Sequence, residues 1–190
     1  GVDTASFVAI LAAVGFAVGL AFQGSLSNFA GGVLLLIVRP IKVGDYIEAN
    51  GFSGTVEAIH ILNTTLKTPD NKVIYIPNGQ LSNTSIVNYS VKDTRRVDWT
   101  FGVGYEQDGD KVKSVLADIV TAHPLVLKDP EAFIRMSNHG DSAVDFTVRA
   151  WVNAGDYWTV YFDIIETVKK RFDAEEISIP YPQMDIHMDK

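Results

Sequence analysis

The chain has 190 residues, 47% of them hydrophobic and 21% charged, with a net charge of −7 and no cysteine. The missing cysteines exclude a disulfide framework, a thiolate zinc site and a Cys-x-x-Cys redox motif. The acidic balance argues against a dominant nucleic-acid surface, and the length suffices for one medium domain or two small ones beside a membrane segment.

Residues 4 to 38 carry no charged side chain. An uncharged apolar stretch longer than about 18 residues is a candidate membrane span. Asp3 is the only charge ahead of it, and no basic segment precedes it, which argues against a secretory signal. A natural chain rarely opens so directly into a membrane helix, so the expectation is that these residues belong to a longer protein.

Plotted as a helix at about 100° per residue, Ala9, Ala13 and Ala17 fall on one stripe, and Ala12, Gly15 and Gly19 on another. Phe16 and Leu20 lie on a line between them, and Phe7, Leu11, Val14, Val18 and Phe22 take the opposite face. Small residues let helix backbones approach closely in lipid, where packing drives association. A lone lipid-facing helix does not need two small stripes flanking a large apolar pair, whereas a ring of identical helices does; a buried core helix or a single anchor is the alternative reading. In such a ring Phe16 and Leu20 point at the axis as two apolar collars, a constriction that blocks ions by expelling water. The pattern therefore predicts an oligomeric pore with a hydrophobic gate.

A polar break, Gln23 to Asn28, holds Gly24, and Gly31 and Gly32 follow. Glycine weakens a helix interior and allows close backbone approach, so these three are the expected bend sites. The reading is a helix to about Gln23, a bend, and an amphipathic helix to about Val38 lying along the membrane surface. Pro40 ends it, because the residue before proline disfavours helix. Arg39 and Lys42 follow at once, and basic flanks favour the cytoplasmic side, which assigns residues 40–190 to the cytoplasm.

From Val43 to Tyr89 the pattern becomes strand-like: 45–48, 54–62, 64–68, 72–76 and 85–89 are short and β-rich. Turn sequences separate them, at Asn50-Gly51, Pro69-Asp70-Asn71 and Pro77-Asn78-Gly79. Five short strands in under 50 residues suggest a small barrel-like β domain. Beyond Arg95 the expected order is a strand at 96–103, a helix capped by Asp108-Gly-Asp110 and stopped by His123-Pro124, strands at 132–136 and 143–152, and a helix from Asp156. Ile177-Ser-Ile179 would close a split β-α-β-β-α-β, ferredoxin-like unit. The tail from Pro180 is short and suited to pairing with copies of itself.

Catalytic and metal-binding patterns are missing. His60, His123, His139 and His187 are scattered, Gly102-x-Gly104 lacks a third glycine, and Asp108-Gly-Asp110 lacks the remaining ligands of a calcium loop. Arg95-Arg96 is too small for a nucleic-acid footprint and reads as an interdomain ion-pairing site. No enzyme activity, cofactor or metal is expected. The competing readings are a membrane-attached Sm-like ring scaffold or RNA-binding module, and a transporter fragment or anchor without a pore.

The string from Gly15 to Gly32, Arg39-Pro40 with Val43-Gly44-Asp45-Tyr46, the Ile76-Pro-Asn-Gly79 turn and Pro180-Tyr-Pro-Gln-Met-Asp185 resemble the small-conductance mechanosensitive channel (MscS) family over essentially the whole chain. The resemblance implies a multi-pass homoheptamer of a bacterial inner membrane that opens under membrane tension during hypoosmotic shock. Lipid, permeant ions and small solutes are its partners, and nucleic acid is not.

The implied organisation is a bent pore-lining helix and amphipathic helix over 1–40, an Sm-like β domain over 41–90, a ferredoxin-like α/β domain over 91–179, and a C-terminal strand over 180–190 forming an oligomeric barrel. The gate collars fall on Phe16 and Leu20, the bends on Gly24 and on Gly31-Gly32, and neighbour packing on Ala9, Ala12, Ala13, Gly15, Ala17 and Gly19. Position 16 is phenylalanine where that family has leucine, and position 31 is glycine where alanine is common. The tension-sensing helices that precede the pore helix in that family are not among these 190 residues.

Overall fold

A computed structural model describes residues 4–184 and 186. The chain divides into two compact units, with the boundary between Val91 and Lys92.

The first unit opens with helix α1, Thr4–Val38. It is followed by strands β1 (Tyr46–Ala49), β2 (Phe52–Ile59), β3 (Asn63–Lys67) and β4 (Val73–Pro77), helix α2 (Asn78–Ser82) and strand β5 (Val87–Asn88). The strands form one antiparallel sheet in the order β4-β3-β2-β1-β5. The β1–β2 hairpin turns at Asn50 (φ 54°) and Gly51 (φ 76°), a pair that accepts the left-handed conformation a two-residue turn requires. Strand β2 bulges between Val56 and Ala58, which bends the sheet around its core. That core joins Ile47, Val56, Leu66, Ile76 and Leu81 to Leu35 of α1 and to Ile41 just beyond it.

The apolar run is helical from Thr4 to Val38, with the expected bend sites Gly24, Gly31 and Gly32 inside it. Its last ten residues are not amphipathic: Phe29 to Val38 contain no polar side chain, and the surface turned to the β domain is made by Gly31, Gly32 and Leu35. Pro77-Asn78-Gly79 is likewise the start of a short helix, not a turn. Proline is well suited to the edge of a helix, where its missing N–H and fixed φ cost nothing.

The second unit runs β6 (Thr94–Val103), α3 (Gly109–Ala122), β7 (Phe133–His139), β8 (Val144–Asn153), a 3₁₀ turn at Ala154–Asp156 and α4 (Tyr157–Ala174). Its antiparallel sheet has the order β6-β8-β7. Alternate residues of β8, including Phe146, Val148 and Ala150, are buried against Leu116 of α3 and Ile164 and Phe172 of α4. Asp108 caps α3 as expected: its carboxylate accepts from the amides of Asp110 at 2.9 Å and Lys111 at 3.3 Å.

The expected fourth strand at 177–179 does not form. Ile177 is buried in the core, and Gly104 N–H donates to the Ser178 carbonyl at 3.0 Å, so one backbone bond stands where a ladder was predicted. The segment still lies at the free edge of β6, so the path is that of the split β-α-β-β-α-β unit with its last strand reduced. No strand is assigned at 180–184. The rest of the predicted barrel strand, apart from Ile186, and His187 lie outside the described residues.

Candidate functional site

The helix α1 has two regimes. From Thr4 to Ser27 every residue is exposed within the chain, including Phe16 at 69% and Leu20 at 55%. A candidate span covers this helix, and the residues that define it are 0% buried. Apolar side chains arrayed all round a helix belong in a protein core or in lipid, and here no core of the same chain covers them. The glycines sharpen the point. A Cβ added to Gly15, Gly19 or Gly24 would meet nothing within 4 Å, so nothing in this chain requires a small residue at those positions.

From Asn28 onward the helix is fastened to the β domain. The first turn of α2 leaves backbone N–H groups without intrahelical partners, and Pro77 provides no side-chain cap. Asn28 of α1 fills that role: its Oδ1 accepts the Gly79 N–H at 3.0 Å. A Cβ on Gly79 would sit 2.7 Å from the Ser27 hydroxyl and 2.9 Å from Asn28 Oδ1, so a larger residue there would have to displace those side chains. One turn further on, a Cβ on Gly31 would lie 2.5 Å from the Asn78 carbonyl oxygen, and one on Gly32 would lie 2.3 Å from that of Ile61. These two predicted bend glycines therefore sit where α1 meets α2 and the β2–β3 connection at backbone distance. Leu35, 2% exposed, then enters the core.

Asn78 organises this seat. Its side chain is fully buried, with Oδ1 accepting from the Thr64 hydroxyl at 2.8 Å and Nδ2 donating to the His60 carbonyl at 2.9 Å. Its own N–H donates to the Leu62 carbonyl at 3.0 Å.

The helix ends abruptly. Arg39 takes φ 53°, its N–H donates to Leu35 O at 3.0 Å, and its side-chain Nε donates to Leu36 O at 3.2 Å. A left-handed residue after the last turn satisfies carbonyls that the helix leaves open, and Pro40 prevents continuation. The chain then turns at Gly44 (φ 97°), and Asp45 Oδ2 accepts from Lys42 N at 2.9 Å and from Asn88 Nδ2 at 2.8 Å. The Val43-Gly44-Asp45-Tyr46 string is thus the joint between helix and sheet.

Chemistry-bearing groups do not converge. Among the described residues no group of three histidine or carboxylate side chains is placed to hold a metal ion. His123 Nε2 faces Asp163 at 3.3 Å, and its Nδ1 accepts from the Leu125 N–H at 3.3 Å, a link at the end of α3. Arg96 grips Asp98 on the same strand through two bonds, and Arg95 lies 3.9 Å over the Tyr157 ring. The Asp98 carboxylate raises the Arg96 guanidinium above its usual value.

The expected site residues thus separate. Phe16, Leu20 and the alanines and glycines from Ala9 to Gly24 meet no partner that buries them in this chain, while Gly31 and Gly32 meet the β domain. Sequence reasoning missed Asn28, Thr64 and Asn78 as a joint. The strings holding Asn28 and Asn78 stand out, but no periodicity links positions so far apart.

Residues 24–91 match the family described as "Mechanosensitive ion channel, beta-domain", and residues 97–179 match "Mechanosensitive ion channel MscS, C-terminal". A small-conductance mechanosensitive channel of Edwardsiella ictaluri is 48% identical over 93% of this chain and 62% of its own length. One of Helicobacter pylori is 37% identical over 98% of this chain and 68% of its own. The chain therefore spans roughly two thirds of these relatives. A crystal structure of Helicobacter pylori MscS in the closed state superposes with a TM-score of 0.95 at 36% identity, covering 100% of this chain and 76% of that one. The likeness extends over the whole chain, and the protein belongs to the MscS family of mechanosensitive ion channels.

Proposed function

We propose that the protein containing this chain is a tension-gated pore, a homoheptamer of a bacterial inner membrane that releases ions and small solutes on hypoosmotic shock. Phe16 and Leu20 form its hydrophobic gate, and residues after about 40 lie in the cytoplasm. The observation that carries this reading is the first regime of α1. Twenty-four consecutive residues, Thr4 to Ser27, are exposed within the chain, and the glycines among them have no own-chain neighbour. Their partners lie in lipid and in other copies of the helix. Ala9, Ala13 and Ala17 of one copy pack against Ala12, Gly15 and Gly19 of the next, which turns the large pair inward.

Length supports a bend. A straight helix of 35 residues is about 52 Å long, against a hydrocarbon core of about 30 Å. Fitting all of it by tilt alone takes an angle of about 55°, outside the range of membrane helices. Residues 4 to 24 are by themselves about 31 Å long, enough to span. Gly24 is the natural hinge because nothing crowds it. Asn28 and the residues after it stay with the β domain.

In this reading the helix is in its closed arrangement, and its likeness to the closed Helicobacter pylori channel supports that. Tension favours whichever state occupies more membrane area, and it shifts the equilibrium only by that difference. Opening parts the Phe16 and Leu20 collars and wets the pore. The test is single-channel recording from the full-length protein under graded suction, with subunit counting on the same preparation. The expected result is a seven-membered assembly with tension-dependent current; a monomer or dimer, or current indifferent to suction, overturns it.

A further inference from the structure

Among the described residues the buried polar side chains are Thr64, Thr65 and Asn78. Thr64 and Asn78 bond to each other at 2.8 Å, deep beneath the helix seat. The bonding scheme fixes which way the Asn78 amide faces. The His60 carbonyl can only accept, so it takes Nδ2 at 2.9 Å, and the Thr64 hydroxyl then has to donate to Oδ1. Without that hydroxyl, Oδ1 would be a buried acceptor with no donor, an arrangement that costs its full desolvation.

What rests on Asn78 is α1. The Asn78 carbonyl lies under Gly31, its Nδ2 lies under Gly32, and the next backbone N–H, of Gly79, is the one that Asn28 holds. The amide thus lies against α1, since a Cβ on Gly32 would be 2.7 Å from Nδ2.

We infer that Thr64 is a positioning residue for the joint between α1 and α2: its hydroxyl fixes the Asn78 amide, and the amide sets where the Gly79 N–H meets Asn28. Thr64 acts through Asn78 and has no role at the pore itself. For its effect on gating, the inference rests on the channel reading above. Loosening the joint frees the lower half of α1 from the β domain and lowers the tension at which the closed state gives way.

The experiment measures hydrogen exchange at the Gly79 amide, with opening tension alongside, for Thr64→Val, Thr64→Ser and Val56→Ala in the full-length protein. Val56 lies in the same β-domain core, 1% exposed, opposite Leu66 and apart from the Asn78 hydrogen bonds, so its truncation reports core destabilisation felt at Leu66 as well. Thr64→Val is expected to speed Gly79 exchange roughly tenfold relative to Leu66 and to lower the opening tension, while Thr64→Ser restores both. Val56→Ala is expected to leave the Gly79-to-Leu66 ratio unchanged. An unchanged ratio in Thr64→Val, or an equal change in Val56→Ala, overturns the inference. Faster exchange with an unmoved opening tension overturns its gating consequence. If the wild type gives no tension-dependent current, the channel reading fails, and the exchange ratios still decide whether Thr64 positions the joint.

Discussion

The Gly79 amide lies 3.0 Å from the side-chain oxygen of Asn28, which precedes it by 51 positions in the chain. A five-residue helix with no cap of its own is completed by a residue from the long apolar helix. Asn28→Ala removes that acceptor and leaves an unpaired N–H in the first turn of α2. The loss of a helix cap is worth about 1 kcal/mol. Thermal unfolding is expected to fall accordingly, with the loss of protection centred on α2. Asn28→Asp, which keeps an acceptor oxygen, is expected to retain most of the stability. A wild-type melting curve for Asn28→Ala would remove Asn28 from the joint.

The helix glycines divide by their neighbours, so the same substitution takes opposite signs along α1. Alanine raises helix propensity by about 1 kcal/mol relative to glycine. At Gly24 nothing in the chain opposes that gain, and Gly24→Ala is expected to stiffen the helix and impede bending. At Gly31 and Gly32 the added carbon lands on the backbone oxygens of Asn78 and Ile61, at 2.5 and 2.3 Å. Overpacking of this kind costs about 1–3 kcal/mol, so Gly31→Ala and Gly32→Ala are expected to destabilise the first unit. Denaturant midpoints for the three variants check this. A stabilised Gly32→Ala would mean that the helix does not lie on the β2–β3 connection.

The sequence carried the membrane span, the five strands and both α/β helices, because each rests on periodicity or on a local turn signal. Asp108 could be read as a cap because its partners are the next few amides. Asn78 could not be read, since its partners Thr64, His60 and Gly32 come from three different elements. The same limit applies to Gly31 and Gly32. Glycine in a helix signals a bend or a close approach, and only the position of α2 reveals the close approach. At residues 177–179 Ile177 is buried but Ile179 is exposed, and an apolar alternation does not report how many ladder bonds form.

In the second unit, Asp108 receives both the Asp110 and Lys111 amides at the start of α3. Asp108→Ala is expected to lower the stability of that unit by about 1 kcal/mol, and Asp108→Asn to lower it by much less. Chemical denaturation followed by a probe in residues 92–190 measures the difference. Equal midpoints for the alanine and asparagine variants would show that charge, not capping, sets the contribution.

The small stripes make a prediction that separates lipid-facing from neighbour-facing positions. Gly19 has no neighbour in its own chain, so a bulky side chain there causes no clash within one subunit. In the assembled ring it would prise adjacent helices apart. Gly19→Val is expected to leave the thermal stability of the β domain and of the second unit unchanged while raising the opening tension or disrupting assembly. Val18→Leu, on the opposite face, is expected to do neither. Recording and subunit counting on the two variants decide the matter, and identical behaviour would sink the stripe argument.

The collars give the last prediction. An apolar constriction closes a pore because water is expelled from it, so a hydroxyl at either collar invites water back, and the smaller serine side chain widens the opening as well. Leu20→Ser and Phe16→Ser are expected to lower the opening tension of the full-length channel. Phe16→Leu separates chemistry from size: it keeps the collar apolar but removes ring bulk. If dewetting closes the pore, Phe16→Leu stays closed at rest and opens near the wild-type tension, while Phe16→Ser does not. If ring size closes it, the two variants shift together. Unchanged tensions for both serine variants would move the gate away from these residues and leave the first regime of α1 without its inward-facing pair.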